Sequence, residues 1–137
     1  MLFEAKLRVE KTLDTGEQKE VKEHYILDAE LFAEAEQKMF ELYPGQNIDV
    51  FSIGRSDIRE IINKKDDDKP FFKATVIDVY TDLDTGKEKE TKYYMLVCAE
   101  NTVEATLLVN EYLKQGYNLR LDGIKRVKIV DYISDQL

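Results

Sequence analysis

The chain has 137 residues, of which 43% are hydrophobic and 35% charged, an ordinary balance that argues against intrinsic disorder. No apolar run approaches the roughly 20 residues that a membrane helix needs, and the first residues lack the pattern of a secretory signal. The net charge of −8 opposes binding to phosphate backbones unless basic residues gather on one face.

The first residues predict two strands joined by a hairpin. Apolar and charged side chains alternate from Phe3 to Val9, which is the two-residue period of a half-buried strand. Asp14-Thr15-Gly16 then supplies a glycine that can take a positive φ in the turn. The segment from Val21 to Leu27 returns as a second strand.

A helix is predicted next, from Phe32 to Tyr43, and Pro44-Gly45 ends it. A strand follows through Ile48 and Ile53, and the apolar residues from Ile58 to Ile62 extend it or form another. The predicted unit is therefore ββαβ, or ββαββ. The apolar stripe of the helix is Phe32, Ala35, Met39 and Leu42.

The second half of the chain repeats the first. Leu13-Asp14-Thr15-Gly16 returns as Leu83-Asp84-Thr85-Gly86, an offset of 70 residues, and Arg55 returns as Arg126, an offset of 71. A change of alternation after Val76 indicates a bulge in the first strand of this copy.

The two predicted helices begin differently. Asn101 stands at a helix start with Glu104 three residues on, the spacing of a capping box, and Gly116 ends this second helix. Leu31, which occupies the equivalent position in the first copy, cannot cap, so we expect a looser start there.

These patterns predict an α+β fold of two tandem ββαβ(β) repeats related by pseudo-twofold symmetry, with a mainly antiparallel sheet and one helix per repeat. The first repeat covers residues 1–63, an exposed linker covers 64–70, and the second repeat covers 71–137. Because one such unit buries little apolar surface, we expect both to share one compact domain.

Candidates for catalysis are few. The one histidine, His24, lies within a strand, and we expect a structural role. Cys98 is the one cysteine, so it forms no internal disulfide, which favours a cytoplasmic setting and a buried thiol. The two Asp-Thr-Gly triplets resemble an aspartic-protease signature, but their charged neighbours are typical of exposed hairpin tips. Asp66-Asp67-Asp68 is more typical of a solvated linker than of a cation site. We predict no catalytic residue, metal site or cofactor.

A binding surface is the remaining possibility. Aromatic residues edged by arginine bind single strands on some sheets, although aromatics on a sheet more often form its core. The residues that would bind nucleic acid are Arg55, Lys125, Arg126 and Lys128. The aromatic residues on or beside strands are Tyr25, Tyr80, Tyr93, Tyr94, Tyr132, Phe51, Phe71 and Phe72.

The strand-to-helix step Tyr25-Ile26-Leu27-Asp28-Ala29, followed by Phe32 to Glu36, resembles an uncharacterised two-repeat family of short proteins from gut anaerobic bacteria and their phages. The resemblance extends over nearly the whole chain and departs from the family pattern at Leu31, where a capping serine is usual. It implies the two-copy fold and an association with phages or mobile elements. It implies no catalytic residues.

We therefore expect a non-enzymatic accessory protein that binds a macromolecular partner, with another protein as the leading partner and either a monomer or a homodimer as its state. One alternative is a single-stranded nucleic-acid-binding factor. Another is a small-ligand-binding or sequestering protein with its pocket at the interface of the two copies.

Overall fold

The computed structural model describes residues 1–64, 68–116 and 118–134. Within these residues the fold is α+β, with two helices and two mainly antiparallel four-stranded sheets. None of the described helices is long and apolar enough to cross a membrane. Along the chain the elements are β1 (Leu2–Thr12), β2 (Gln18–Asp28), α1 (Phe32–Glu41), β3 (Asp49–Arg55), β4 (Ile58–Ile62), β5 (Phe71–Thr81), β6 (Glu88–Cys98), α2 (Thr102–Leu113), β7 (Leu119–Val127) and β8 (Asp131–Ile133).

The chain folds into two compact units. Unit 1 comprises Met1–Ser56 and the chain from Ile129, and unit 2 comprises Asp57–Lys128. Unit 1 contains α1 and a sheet of order β3-β1-β2-β8, and unit 2 contains α2 and a sheet of order β4-β6-β5-β7. The division into repeats 1–63 and 71–137 stays a prediction, and residues 65–67 of the predicted linker lie outside the described part of the chain.

The strand that follows each ββαβ run pairs in the other sheet. β4 follows β3 but pairs in parallel with β6, and β8 follows β7 but pairs in parallel with β2. The first connection explains this arrangement, because only Ser56 and Asp57 separate β3 from β4. The segment from Arg55 to Ile58 can span at most about 11 Å. A strand that paired with the far side of β2 would lie roughly three strand spacings, about 14 Å, from β3. The optional last strand of the predicted ββαβ(β) unit therefore forms, but in the other sheet.

Both predicted hairpins turn on a glycine with positive φ. The angle is +84° at Gly16 and +71° at Gly86, a conformation that glycine adopts without strain. The first turn contains residues 13–17 and the second contains residues 82–87. The second turn is thus one residue longer, so the offset between the two halves changes by one across this hairpin as well as after the second helix.

The bulge predicted in β5 is found instead on its neighbour β7. The pairing of β5 with β7 shifts register between Thr75 and Val76, and the extra residue is Asp122 on β7. The ladder between β5 and β6 is continuous at this point. The pairing of β1 with β3 shifts in the same way between Lys6 and Leu7. The prediction of a bulge in β5 was therefore wrong, because the extra residue is on β7 and the register shift falls one position before the change of alternation.

The two helices begin as their sequences predict. The Asn101 side chain accepts a hydrogen bond from the Glu104 backbone N–H at 2.9 Å, which confirms the predicted cap of α2. Leu31 provides no side-chain cap for α1. The Glu34 carboxylate instead accepts from the Glu30 backbone N–H at 3.2 Å, one residue before the cap position.

One face of each sheet packs on its own helix. In α1, Ala35 and Met39 are buried as predicted, and Leu42 packs at the margin of this core. Phe32 departs from the predicted stripe, because it is half exposed and meets the Phe3 ring edge-on with centroids 5.0 Å apart. The buried core of unit 1 is Phe3, Ala5, Leu7, Val9, Tyr25, Leu27, Ala29, Ala35 and Met39. That of unit 2 is Phe72, Ala74, Val76, Met95, Val97, Ala99, Ala105, Val109 and Leu113.

Candidate functional site

The one histidine binds a carboxylate that also binds a serine. His24 Nε2 lies 2.8 Å from Glu4 Oε1, and Ser56 Oγ donates to Glu4 Oε2 at 2.6 Å. A nucleophilic triad needs the histidine between the hydroxyl and the carboxylate. Here the carboxylate is in the middle, so His24 does not accept the serine proton, and the geometry fits the expected structural role.

The other catalytic candidates also occupy structural positions. Cys98 is fully buried at the end of β6, and its thiol donates to the Lys69 carbonyl at 3.5 Å. Asp14 and Asp84 of the Asp-Thr-Gly triplets are exposed in their hairpin turns. In the described part of the chain, no group of three or more His, Cys, Asp or Glu side chains is placed to hold a metal ion. Asp66 and Asp67 lie outside the described residues.

The four predicted nucleic-acid-binding residues are all exposed. Arg55 is in unit 1, on β3, whereas Lys125, Arg126 and Lys128 are in unit 2, on β7 or just after it. Lys125 and Arg126 are consecutive on a strand, so their side chains leave opposite faces of the sheet. The structure therefore places one of these two residues, not both, on any one face of β7.

Lys125 lines a cavity of about 340 Å³ together with Lys73 and Tyr94. The ammonium group of Lys73 lies 4.3 Å from the centroid of the Tyr94 ring and 3.2 Å from Asp57 Oδ1. Two lysines beside an aromatic ring are suited to an anion with a planar group, but Asp57 neutralises one of them. Of these two lysines, the sequence pattern predicted only Lys125 as a binding residue.

Several of the strand aromatics form the core and so cannot serve as a binding platform. Tyr25, Phe71 and Phe72 are buried. Phe51 is partly exposed, and the Arg8 guanidinium lies over its ring at 4.0 Å.

Unit 1 contains a buried carboxylate that the sequence interpretation missed. Glu23 on β2 is 7% exposed. Tyr43 and Tyr25 both donate their hydroxyl hydrogen bonds to Glu23 Oε1, the latter at 3.2 Å, and the Lys11 ammonium donates to Glu23 Oε2 at 3.0 Å. We call these four residues the Glu23 cluster. It joins the turn half of the β1–β2 hairpin to the chain just after α1.

The Glu23 cluster holds its carboxylate ionised. Burial pushes the pKa of Glu23 upward, but the hydrogen bonds from Tyr43 and Lys11 outweigh it, and the pKa is lowered from its ordinary value. The hydrogen bond with Glu23 raises the pKa of Lys11, so the ammonium keeps its proton. Burial and then the carboxylate raise the pKa of Tyr43 as well. The cluster is a satisfied internal ion pair, not a group poised for proton transfer.

Unit 2 has an open cavity of about 430 Å³ between its sheet and the end of α2, which we call the cleft. The Arg59 guanidinium lies over the Tyr93 ring, 4.7 Å from its centroid. Burial is the main cause of the raised pKa of Tyr93, and the nearby carboxylates add to it. The nearby Glu60 carboxylate raises the pKa of Tyr112. The side chains that line the cleft include Arg59, Glu60, Asp78, Tyr93, Tyr112 and Gln115.

Comparison with known proteins places the chain in a family. The sequence profile described as "Domain of unknown function (DUF4494)" matches residues 1–135. The chain belongs to this family. No curated protein and no solved structure matches it.

The functional geometry of this DUF4494 member was only partly readable from its sequence. Glu23 has a readable signal, because it stands in phase with the buried Tyr25 and Leu27 along β2. The approach of Arg59 to Tyr93 has none, because it depends on the pairing of β4 with β6 across the two halves of the chain.

Proposed function

We propose that the protein is non-enzymatic and acts by binding a macromolecular partner, with another protein as the first partner to seek. We further propose that it works in the cytoplasm, in association with phages or mobile elements of gut anaerobic bacteria, as a monomer or homodimer. The proposal is supported chiefly by the outer face of α2.

The outer face of α2 carries two large aliphatic side chains in water. Val103 is 68% exposed and Leu107 is 66% exposed. They are four residues apart on a helix, so they are neighbours on one face. An apolar pair of this kind gains free energy when a partner covers it, because apolar surface leaves water. We call Val103 and Leu107 the α2 ridge.

A binding role also fits the positions of the reactive side chains. Cys98 is buried, and the hydroxyl of Ser56 and the imidazole of His24 both bind Glu4. These groups hold the fold together in the geometry described above.

We also propose that the chain arose by duplication and that its copies are related by a pseudo-twofold axis. In unit 1, Leu7 pairs with Glu23 directly beside the bulge of β3. In unit 2, Val76 pairs with Tyr93 directly beside the bulge of β7. Matching strand orders and matching bulges support a common origin for the two halves.

The partner-binding proposal is tested by affinity purification with quantitative mass spectrometry from a host extract. The test variant is Val103→Glu/Leu107→Glu. Its matched control is Ala33→Glu/Gln37→Glu, which places the same charges on the exposed side of α1. We expect the test variant to lose a protein that the wild type and the control both retain. We also expect that protein, once purified, to bind the purified wild-type chain directly. Equal retention by both variants would contradict a role for the α2 ridge.

Single-stranded nucleic acid binding is a second candidate, favoured by the cavity that Lys73, Tyr94 and Lys125 line. Fluorescence anisotropy of labelled single-stranded DNA and RNA at two salt concentrations tests it. Binding should weaken several-fold from low to physiological salt, and Lys73→Glu/Lys125→Glu should abolish it. The variant Arg55→Glu/Arg126→Glu tests the arginines that the sequence predicts. Absence of binding at low salt would remove this candidate.

A third candidate is a small-ligand-binding or sequestering protein, favoured by the open cleft of unit 2.

A further inference from the structure

The cleft of unit 2 and the Glu23 cluster of unit 1 occupy matching positions in their sheets. Tyr93 pairs with Val76 where Glu23 pairs with Leu7, each beside the bulge of its sheet. Tyr80 likewise stands one residue before the last pair of its hairpin, as Lys11 does in unit 1. Glu23 and Lys11 of unit 1 thus correspond to Tyr93 and Tyr80 of unit 2.

The Glu23 cluster shows which chemistry this position accommodates. In unit 1 a carboxylate and two phenols surround the position, and an alkylammonium group from the chain itself, Lys11, completes it. Carboxylates accept hydrogen bonds and do not donate, so an ammonium with three N–H donors is the complementary group.

The cleft offers the same kinds of groups but, among the residues that the structure describes, no lysine ammonium. Glu60 and Asp78 supply two carboxylates, and Tyr93 and Tyr112 supply two phenols. Among the described residues, neither Glu60 nor Asp78 forms an ion pair within 4 Å. The position that Lys11 fills in unit 1 is held by Tyr80, whose phenol carries no ammonium and which is about half exposed.

The arginine of the cleft does not take the place of the missing ammonium. Within the described chain, Arg59 makes no ion pair, and its guanidinium lies over the Tyr93 ring, 4.7 Å from the centroid. It covers the ring face, so the ring is closed to a second cation from that side. One guanidinium against two carboxylates leaves the cleft with an excess negative charge, which disfavours an anionic ligand. The raised pKa of Tyr93 and of Tyr112 keeps both phenols neutral.

We propose that the cleft binds a primary alkylammonium group that comes from outside the chain, with Asp78 and Glu60 accepting its hydrogen bonds. Two sources share this chemistry, a free polyamine and the lysine side chain of a partner protein. The cavity of about 430 Å³ has room for the ammonium and several methylene groups of either. The proposal goes beyond partner binding through the α2 ridge and is tested with small molecules, so either proposal can fail alone.

The test is a titration of ¹⁵N-labelled protein, followed by the chemical shifts of backbone amides. The first probe is n-butylammonium chloride. We expect saturable shifts confined to the cleft, including the amides of Gln115 and Gly116. Asp78→Asn should weaken binding by about ten-fold or more, as expected for loss of one charge-assisted hydrogen bond. The control Asp84→Asn makes the same change of charge at an exposed hairpin tip of unit 2 and should alter binding by less than about two-fold.

Further probes separate the source and the chemistry of the ligand. Spermidine and N-acetyl-lysine methylamide distinguish a free polyamine from a lysine side chain, and tighter saturable binding of either one supports the proposal. Tetramethylammonium has the same charge without N–H donors and should bind more weakly than n-butylammonium. Glu60→Gln provides a second variant if Asp78→Asn loses its dispersed spectrum. Shifts spread over the acidic surface without saturation, or equal affinity of Asp78→Asn and Asp84→Asn, would overturn the proposal.

Discussion

The two units differ most at the place where the helix-facing side of the sheet meets the end of its helix. In unit 1 this place is filled by Glu23, bound by Lys11 and two tyrosines. In unit 2 it is an open cleft in which Arg59 lies over Tyr93 and the carboxylates make no ion pair among the described residues. One sheet design thus carries an internal ion pair in one unit and accessible charged groups in the other. On our proposal, unit 2 recognises a ligand at this place, whereas in unit 1 the internal ion pair contributes to stability.

The largest expected effect comes from comparing the loss of the Glu23 carboxylate in unit 1 with the loss of the Asp78 carboxylate in the cleft of unit 2. Glu23→Gln removes the charge that Lys11 and two phenols bind, so we expect the free energy of unfolding to fall by about 2 kcal/mol. Asp78→Asn removes a charge that forms no ion pair among the described residues, and it should change the free energy of unfolding by less than about 0.5 kcal/mol. Urea unfolding followed by far-ultraviolet circular dichroism measures both. Glu17→Gln in the first hairpin is a matched exposed control in unit 1. Equal losses in the two units would contradict the comparison.

The pH dependence of stability sharpens the same comparison. The pKa of Glu23 in the folded protein lies below its ordinary value of 4.5. The stabilisation it provides is therefore fully present above pH 4.5 and is lost as the pH falls through the lowered folded-state pKa. We expect acid to destabilise the wild type more steeply in this range than Glu23→Gln. Unfolding free energies measured from pH 6 to about pH 3 test the difference. Parallel curves for wild type and Glu23→Gln would show that the cluster does not bind the charged carboxylate.

The smallest predicted effects concern the starts of the two helices. Asn101→Ala removes the side-chain cap of α2 and should cost about 1 kcal/mol. Leu31→Ser adds a cap where α1 has none and should stabilise by about 0.5 kcal/mol. Thermal unfolding of the two variants beside the wild type gives the sign of each change. A loss of stability in Leu31→Ser would mean that the exposed leucine packs in a way that a serine cannot replace.

Local patterns in the sequence were enough to predict most elements. Alternation from Phe3 to Val9 predicted β1 and its buried face, and Asn101 with Glu104 predicted the start of α2. Each of these depends on neighbours within a few residues along the chain. The exchange of β4 and β8 between sheets could not be predicted in this way, because both runs fit either sheet by composition and the short connection from Arg55 to Ile58 decides the pairing.

The functional-site predictions divide in the same way, between features that depend on local sequence and features that depend on the pairing of distant strands. Cys98 was expected to be buried, which the structure confirms, and His24 lies in a structural contact with Glu4. Arg59 and Tyr93 are 34 positions apart and meet only because β4 pairs with β6, so no motif in the sequence announces the cleft.

The exchange of strands also sets the order in which the units can be completed during synthesis. Unit 1 begins first, but its sheet has only three strands until β8 is made, about one hundred residues after β2. All the strands of unit 2 lie between Ile58 and Val127, so that unit is complete earlier. In the interval, β2 presents an open edge that can pair with other chains. A nascent chain therefore finishes the unit with the open cleft before the unit with the filled site, and β8 closes the exposed edge last.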